Sequence, residues 1–487
     1  MNSVKRSFFW SGVEQVAPRF ATIFFTVALA RLLSPADFGL MALLTVFMSL
    51  AKVFSDFGLS ASLIQRKEIT ADDETSAFAM NIAVGAILAG LVVAVSPAVA
   101  KFYDQPVLGS MLSVLALTVL ASSFCLVQTA LLSRAMLFKK IAMIGTSSTL
   151  LSGAVGVLLA YLGAGVWSLV GMNLTTSLVQ VAMYWYLSDW RPRGKVRRAN
   201  IASMWSFSSY LLYIRAAGTI YQNLYSAVIG KVYSPEVLGL YSKANSLRML
   251  PAGILTGMVN RVAFPLFSKH QDDKPFLLRR IRQIIRVTLI FSAGGLSLLA
   301  VLADPLIPLV FTEKWRASVD LLRILCFAGV FYPIHALYLM ALQAQGHSNL
   351  NFRLENTKMV LGIGVLALVY DRGITVLAWS VVGLTVASYF INAWYNVKLL
   401  GYRWRMQAAD ILPTLVLCMG SGWAAWWSGS HFLYNPWLAM PVQATTFIAL
   451  VFSVIFLLRR SAFSDLWMRM GEVRGSLGTA VRARLSR

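Results

Sequence analysis

Four basic residues stand inside long apolar runs of this chain: Arg19, Lys52, Arg215 and Arg248. A charge at bilayer depth costs at least about 2.5–3.5 kcal/mol, so such residues normally face a water-filled cavity or a partner. Three of the four lie on polar stripes. Thr45, Ser49, Lys52, Asp56 and Ser60 make one stripe, and Ser208, Arg215, Thr219, Gln222 and Ser226 a second. Tyr241, Asn245 and Arg248 make a third. Intervals of three, four and seven keep each set on a single helix face. The chemistry such faces offer is anion binding: a guanidinium grips phosphate through two parallel N–H bonds, and an ammonium adds a point charge. Arg19, Lys52, Arg215, Arg248, Asn245 and Gln222 are therefore the candidate ligands of an anionic group. Asp56 and Glu14, acidic residues in the same runs, are candidates for ion coupling or charge pairing. Lys52 and Asp56, four residues apart, could instead neutralise each other. The rival account of the whole set is polar glue between helices.

The elements that position these residues are membrane helices. Of 487 residues, 58% are hydrophobic and 13% charged. Soluble domains run near 45–50% and 25%. Fourteen apolar runs reach spanning length, the first at 8–33 and the last at 439–458. The net charge is +23, and most of the 43 Lys and Arg fall in alternate loops. The intervening loops hold only Lys101, Lys231, Lys314, Arg316 and Arg372. This alternation places both termini in the cytoplasm by the positive-inside rule and excludes a nucleic-acid-binding face. The first run holds Glu14 and Arg19 and outlasts a signal h-region, so no cleavable signal is expected. Two segments read as basic amphipathic helices lying on anionic membrane lipids: Pro275–Arg286 and the cytoplasmic tail at 459–487. Cys125, Cys326 and Cys418 lie in apolar runs, so neither a disulfide framework nor a metal site is expected.

An internal repeat organises the runs. Residues 31–41 read RLLSPADFGLM and residues 231–241 read KVYSPEVLGLY. Pro35 and Pro235 suit the first position of a helix, with Ser34 and Ser234 as caps. The first copy joins spans 1 and 2, the second spans 7 and 8, and both fall on the outer side. A weaker echo links Leu132–Phe138 with Gln345–Phe352. The expected fold is all-α and polytopic, with about 14 transmembrane helices. Two six-helix lobes, 1–190 and 191–400, are related by a pseudo-two-fold axis along the membrane normal. Two extra helices follow at 401–458, then the tail at 459–487. Equivalent helices of both lobes carry cations, so a central cationic cavity is the expected site.

Four segments carry a family resemblance: ARLLSPADFGL at 30–40, SDFGLSASLIQRKEIT at 55–70, RVAFPLFSKHQDD at 261–273 and LVFTEKW at 309–315. With them the chain resembles the Wzx-type polysaccharide flippases of the multidrug/oligosaccharidyl-lipid/polysaccharide (MOP) exporter superfamily, nearest the colanic acid exporter branch. The resemblance implies alternating access in a bacterial cytoplasmic (inner) membrane. Its substrate would be an undecaprenyl-pyrophosphate-linked oligosaccharide repeat unit, carried from inner to outer leaflet for surface or exopolysaccharide synthesis. It also implies possible coupling to a proton or sodium gradient, no cofactor, and possible contact with polysaccharide polymerase and export machinery. The alternative is a multidrug or small-molecule antiporter of the same superfamily, although the embedded charge is basic rather than acidic. An enzyme acting on the same lipid carrier is disfavoured. The longest outer loop, about 304–318, is short, and His270, His335, His347 and His431 form no nucleophile–base or metal spacing.

Overall fold

The computed structural model describes residues 18–457 except 57, 58, 67, 433 and 434. Glu14 and the tail at 459–487 lie outside the described residues. Within them the chain is helical and contains no strand. Residues 18–32 form α1. Then follow α2 (Pro35–Asp56), α3 (Leu59–Gln65), α4 (Ala71–Tyr103), α5 (Val107–Ser123), α6 (Leu126–Arg134), α7 (Phe138–Tyr161) and α8 (Trp167–Leu187). The second half contributes α9 (Arg198–Val232), α10 (Pro235–Lys269), α11 (Lys274–Phe311), α12 (Ser318–Ala344), α13 (Ser348–Val369), α14 (Ile374–Leu400), α15 (Trp404–Phe432) and α16 (Pro436–Leu457). Among the described residues eight helices are long and apolar enough to cross a membrane alone. The pair α5 and α6, bent by 41°, makes a ninth. Others such as α8 and α13 have the length but carry more polar or charged residues. The chain is a multi-pass membrane protein.

Helix ends follow local chemistry. Ser34 accepts from the Asp37 N–H, and Asp37 in turn accepts from the Ser34 N–H at 2.9 Å. At the second copy of the repeat Ser234 accepts from Val237 N–H, so both serines cap their helices as expected. The weaker echo is a shared turn. Leu137 N–H reaches Leu132 O and Met136 N–H reaches Ser133 O after α6. His347 and Gly346 make the same two bonds to Leu342 and Gln343 after α12. Both turns need a left-handed residue, Met136 at φ 53° and Gly346 at φ 80°.

Close contacts sort the chain into two compact units. The first holds residues to Ala244 together with Val310–Ser318 and Leu366–Leu377. The second holds Asn245–Leu309, Val319–Val365 and the residues from Ala378 onward. In the first unit α4 packs on α5, α7 on α8, and α2 on α9. In the second, α15 and α16 form a hairpin whose Ala425, Phe447 and Val451 are buried with Val301 of α11.

Pro275–Arg286 is not a separate surface helix. It is the first three turns of α11, a 38-residue helix about 57 Å long at 1.5 Å per residue. Leu277, Ile281 and Ile285 are fully buried, so the apolar face meets protein rather than lipid. Its arginines are committed too. Arg282 donates from Nε to Asp410 Oδ2 at 2.7 Å, and Arg286 donates from Nε to Asp410 Oδ1 at 2.7 Å. Tyr402 O–H adds a third donor at 2.8 Å. Asp410, whose side chain is wholly buried, thus fastens α15 to α11. Tyr338 and Tyr389 both donate to Gln407, one turn earlier on α15.

Candidate functional site

Within the first unit, the stripes of α2 and α9 face each other. Asn223 Nδ2 donates to Ser49 Oγ at 3.1 Å, and Arg215 Nη1 donates to Asp56 Oδ2 at 2.7 Å. The residue numbers rise on one helix as they fall on the other, so Lys52 sits at the level of Thr219, between the two contacts. Asp56 therefore pairs across to Arg215, not along its own helix to Lys52. The physical reason is reach: the long guanidinium arm of α9 brings a donor to the carboxylate, while Lys52 stays exposed. Lys52 has no ion pair among the described residues. The pair itself is open, with the Arg215 side chain 49% and Asp56 31% exposed. Asp56 Oδ1 is buried and accepts nothing from the described residues. Gln222 and Arg19 are also exposed.

In the second unit Arg248 Nε donates to Asn245 Oδ1 at 3.0 Å and Nη1 to Leu325 O at 3.4 Å. Asn245 thus orients Arg248 from one turn away. The structure joins Arg215 to Asp56 and Arg248 to Asn245. Among the described residues, Arg19, Lys52 and Gln222 have no such partner. Elsewhere Lys358 bonds Glu355 as an ordinary helix-face pair, and Arg323 pairs with Asp304 and Asp320.

The motif SDFGLSASLIQRKEIT is the frame of this site. Below Asp56, Ser55 Oγ lies 3.3 Å from Ser123 Oγ, whose backbone carbonyl accepts from the buried Asn81. Arg134 donates to the carbonyls of Leu63, Ile64 and Arg66. Arg66 bonds Asp73 at 3.0 Å, and Thr70 and Asp73 close a capping box on α4. Most of the motif therefore fixes where α2 ends and where Asp56 stands.

A second assembly, of which the polar stripes gave no sign, gathers three of the sequence motifs at the Pro35 end of α2. The two SP-x-x-[FL]-G-L copies cross each other reciprocally. A Cβ on Gly39 would lie 1.6 Å from Pro235 O, and one on Gly239 would lie 1.8 Å from Pro35 O. Only glycine allows that approach. The segment LVFTEKW closes over this crossing. Trp315 Nε1 donates to Ala30 O, Arg31 Nε to Val310 O and Lys314 Nζ to Arg31 O, each at 2.8 Å. Burial pushes the Lys314 ammonium below its ordinary range, and nearby Asp37 offsets part of that. Lys243 is buried among three rings, its ammonium 4.0 Å from the centroid of Phe38, 4.9 Å from Trp315 and 5.0 Å from Phe311. The clue was present: Lys243 falls two residues past the second repeat, 231–241, and LVFTEKW contains Phe311 and Trp315.

Long apolar helices carrying exposed cations, with paired repeat motifs crossing at glycine, define a polytopic membrane transport protein rather than an enzyme. A family profile described as "Polysaccharide biosynthesis protein" matches residues 28–320, and the chain belongs to that family. It is similar to the lipopolysaccharide biosynthesis protein WzxC of Escherichia coli strain K12, with 26% identity covering 85% of this chain and 86% of that one. It is also similar to the succinoglycan biosynthesis transport protein ExoT of Rhizobium meliloti, with 26% identity covering 85% and 82%. Its fold matches the lipid II flippase MurJ in an inward closed conformation with a TM-score of 0.75 at 12% identity, over 92% of this chain and 99% of that one. The fold also matches an inward-facing multidrug resistance MATE family transporter of the MOP superfamily, with a TM-score of 0.60 at 14% identity, over 82% of this chain and 98% of that one.

Proposed function

We propose that this protein is a flippase that carries an undecaprenyl-pyrophosphate-linked oligosaccharide repeat unit from the inner to the outer leaflet of the bacterial cytoplasmic membrane. Both termini would lie in the cytoplasm. The observation that carries this is the exposed Arg215 guanidinium on the 35-residue helix α9, with Lys52 exposed on α2, which packs against it. Charges among apolar helices are costly unless they face water or a partner, and Lys52 has no ion pair among the described residues. A diphosphate suits them, because its oxygens take the parallel N–H bonds of a guanidinium. Arg19, Arg215, Arg248 and Asn245 are the proposed headgroup ligands, with Lys52 adding positive charge beside Arg215. Alternating access would move it, drawing on a proton or sodium gradient. The polysaccharide-biosynthesis relatives support a lipid-linked glycan as the cargo.

The test is the fate of lipid-linked glycan in cells lacking this gene. Carrier-linked repeat units should accumulate on the cytoplasmic side, and wild-type protein should clear them. Arg215→Ala with Arg248→Ala, expressed at the same level, should not. Normal surface polysaccharide without accumulation in the null strain would refute the proposal and direct the work to drug efflux.

A further inference from the structure

We infer that Asp56 is an internal stand-in for the substrate's diphosphate: its carboxylate holds Arg215 while the transporter is empty and yields it to the headgroup, passing to Lys52. This deepens the proposed function and rests on Arg215 being a headgroup ligand.

The protein contains its own standard for a structural carboxylate. Asp410 is wholly buried and takes two arginines and a tyrosine on its two oxygens. Asp56 differs at every point. One nitrogen of Arg215 meets one oxygen of Asp56, where a tight pair would use a fork of two bonds. Both side chains are partly open to solvent. The second oxygen, Oδ1, is buried yet accepts no bond from the described residues. An exposed pair of this kind is worth only about 0–1 kcal/mol, so a diphosphate with several oxygens can displace it.

The displaced carboxylate has a place to go. Lys52 lies one turn before Asp56 on α2, and side chains four apart on a helix are neighbours. Lys52 is exposed and has no ion pair among the described residues. When Arg215 turns to the headgroup, Asp56 can close on Lys52, and the trio never leaves a bare carboxylate. On release Asp56 returns to Arg215 and competes with rebinding. Asp56 is thus a positioning residue that acts through Arg215.

The experiment uses the purified full-length protein in lipid nanodiscs and inorganic pyrophosphate as probe, titrated calorimetrically. Asp56→Asn should bind pyrophosphate about two- to threefold more tightly than wild type, the gain from freeing Arg215 of a weak competitor less what Asp56 recovers on Lys52. Arg215→Gln should bind more weakly, and Asp56→Asn in the Arg215→Gln background should change nothing. A purely structural carboxylate would weaken binding when removed, so the sign separates the two roles. Asp56→Ser, with the same expectation, serves if the asparagine variant does not fold. Unchanged or weaker binding by the folded Asp56 variant, with Arg215→Gln still impaired, overturns the inference and leaves the flippase proposal standing. Absence of pyrophosphate binding by wild type, or binding indifferent to Arg215, overturns both Arg215 as a headgroup ligand and the exchange built on it.

Discussion

Alanine at Gly239 would place a Cβ 1.8 Å from the Pro35 carbonyl oxygen, where ordinary contact begins near 3.4 Å. The obstacle is backbone, so no side chain can swing away. The α2 and α10 backbones must part by about 1.6 Å, and the contacts around the crossing loosen with them. Overpacking of this kind costs about 1–3 kcal/mol, and a rigid obstacle favours the upper half. Alanine recovers up to about 1 kcal/mol through helix propensity. The expected net loss is about 2 kcal/mol for Gly239→Ala, and similar for Gly39→Ala, whose Cβ would meet Pro235 O at 1.6 Å. Because both methyls enter one crossing, the gap opened by the first admits part of the second. The double variant should therefore fall short of the sum by about 1 kcal/mol. Unfolding by denaturant in mixed micelles measures all three. Gly253→Ala, also on α10 but with nothing within 4 Å, is the control and should stay within about 0.5 kcal/mol of wild type. If the single variants unfold like Gly253→Ala, or the double is fully additive, the reciprocal crossing is refuted.

Asp410→Asn should cost about 3–5 kcal/mol in the same assay, since it leaves Arg282 and Arg286 without their buried anion. Trp315→Phe keeps a ring beside Lys243 but loses the bond to Ala30 O, and should cost about 1 kcal/mol. Charge reversal by Arg215→Glu with Arg248→Glu should abolish clearance of carrier-linked glycan at normal protein levels; intact clearance would sink the cationic site.

The stripes could be read because a helix face is written at fixed intervals. Ser49 and Asp56 proved to be the residues of α2 that meet α9, as their spacing requires. The partner of Asp56 could not be read, because a local rule favours Lys52 at four residues and says nothing about a helix 159 residues away. Pro275–Arg286 misled for a related reason. An amphipathic pattern reports that one face is covered, and lipid and protein cover it equally well. What covers Leu277, Ile281 and Ile285 is protein, and the deciding residue, Asp410, stands 128 residues beyond Arg282 in the chain. Lys243 could not be read as a caged charge, since its rings come from α2 and from the segment 310–315.

The tie between Asp410 and the base of α11 also has a timetable. Arg282 leaves the ribosome 128 residues before its carboxylate does. At 5–20 residues per second that interval is roughly 6–26 s. For that time α11 must enter the membrane with two arginines whose anion does not yet exist. The hairpin of α15 and α16 is therefore more than an appendix to twelve helices. It delivers the anion that Arg282 and Arg286 need, and the base of α11 cannot reach its final contacts until α15 has been made.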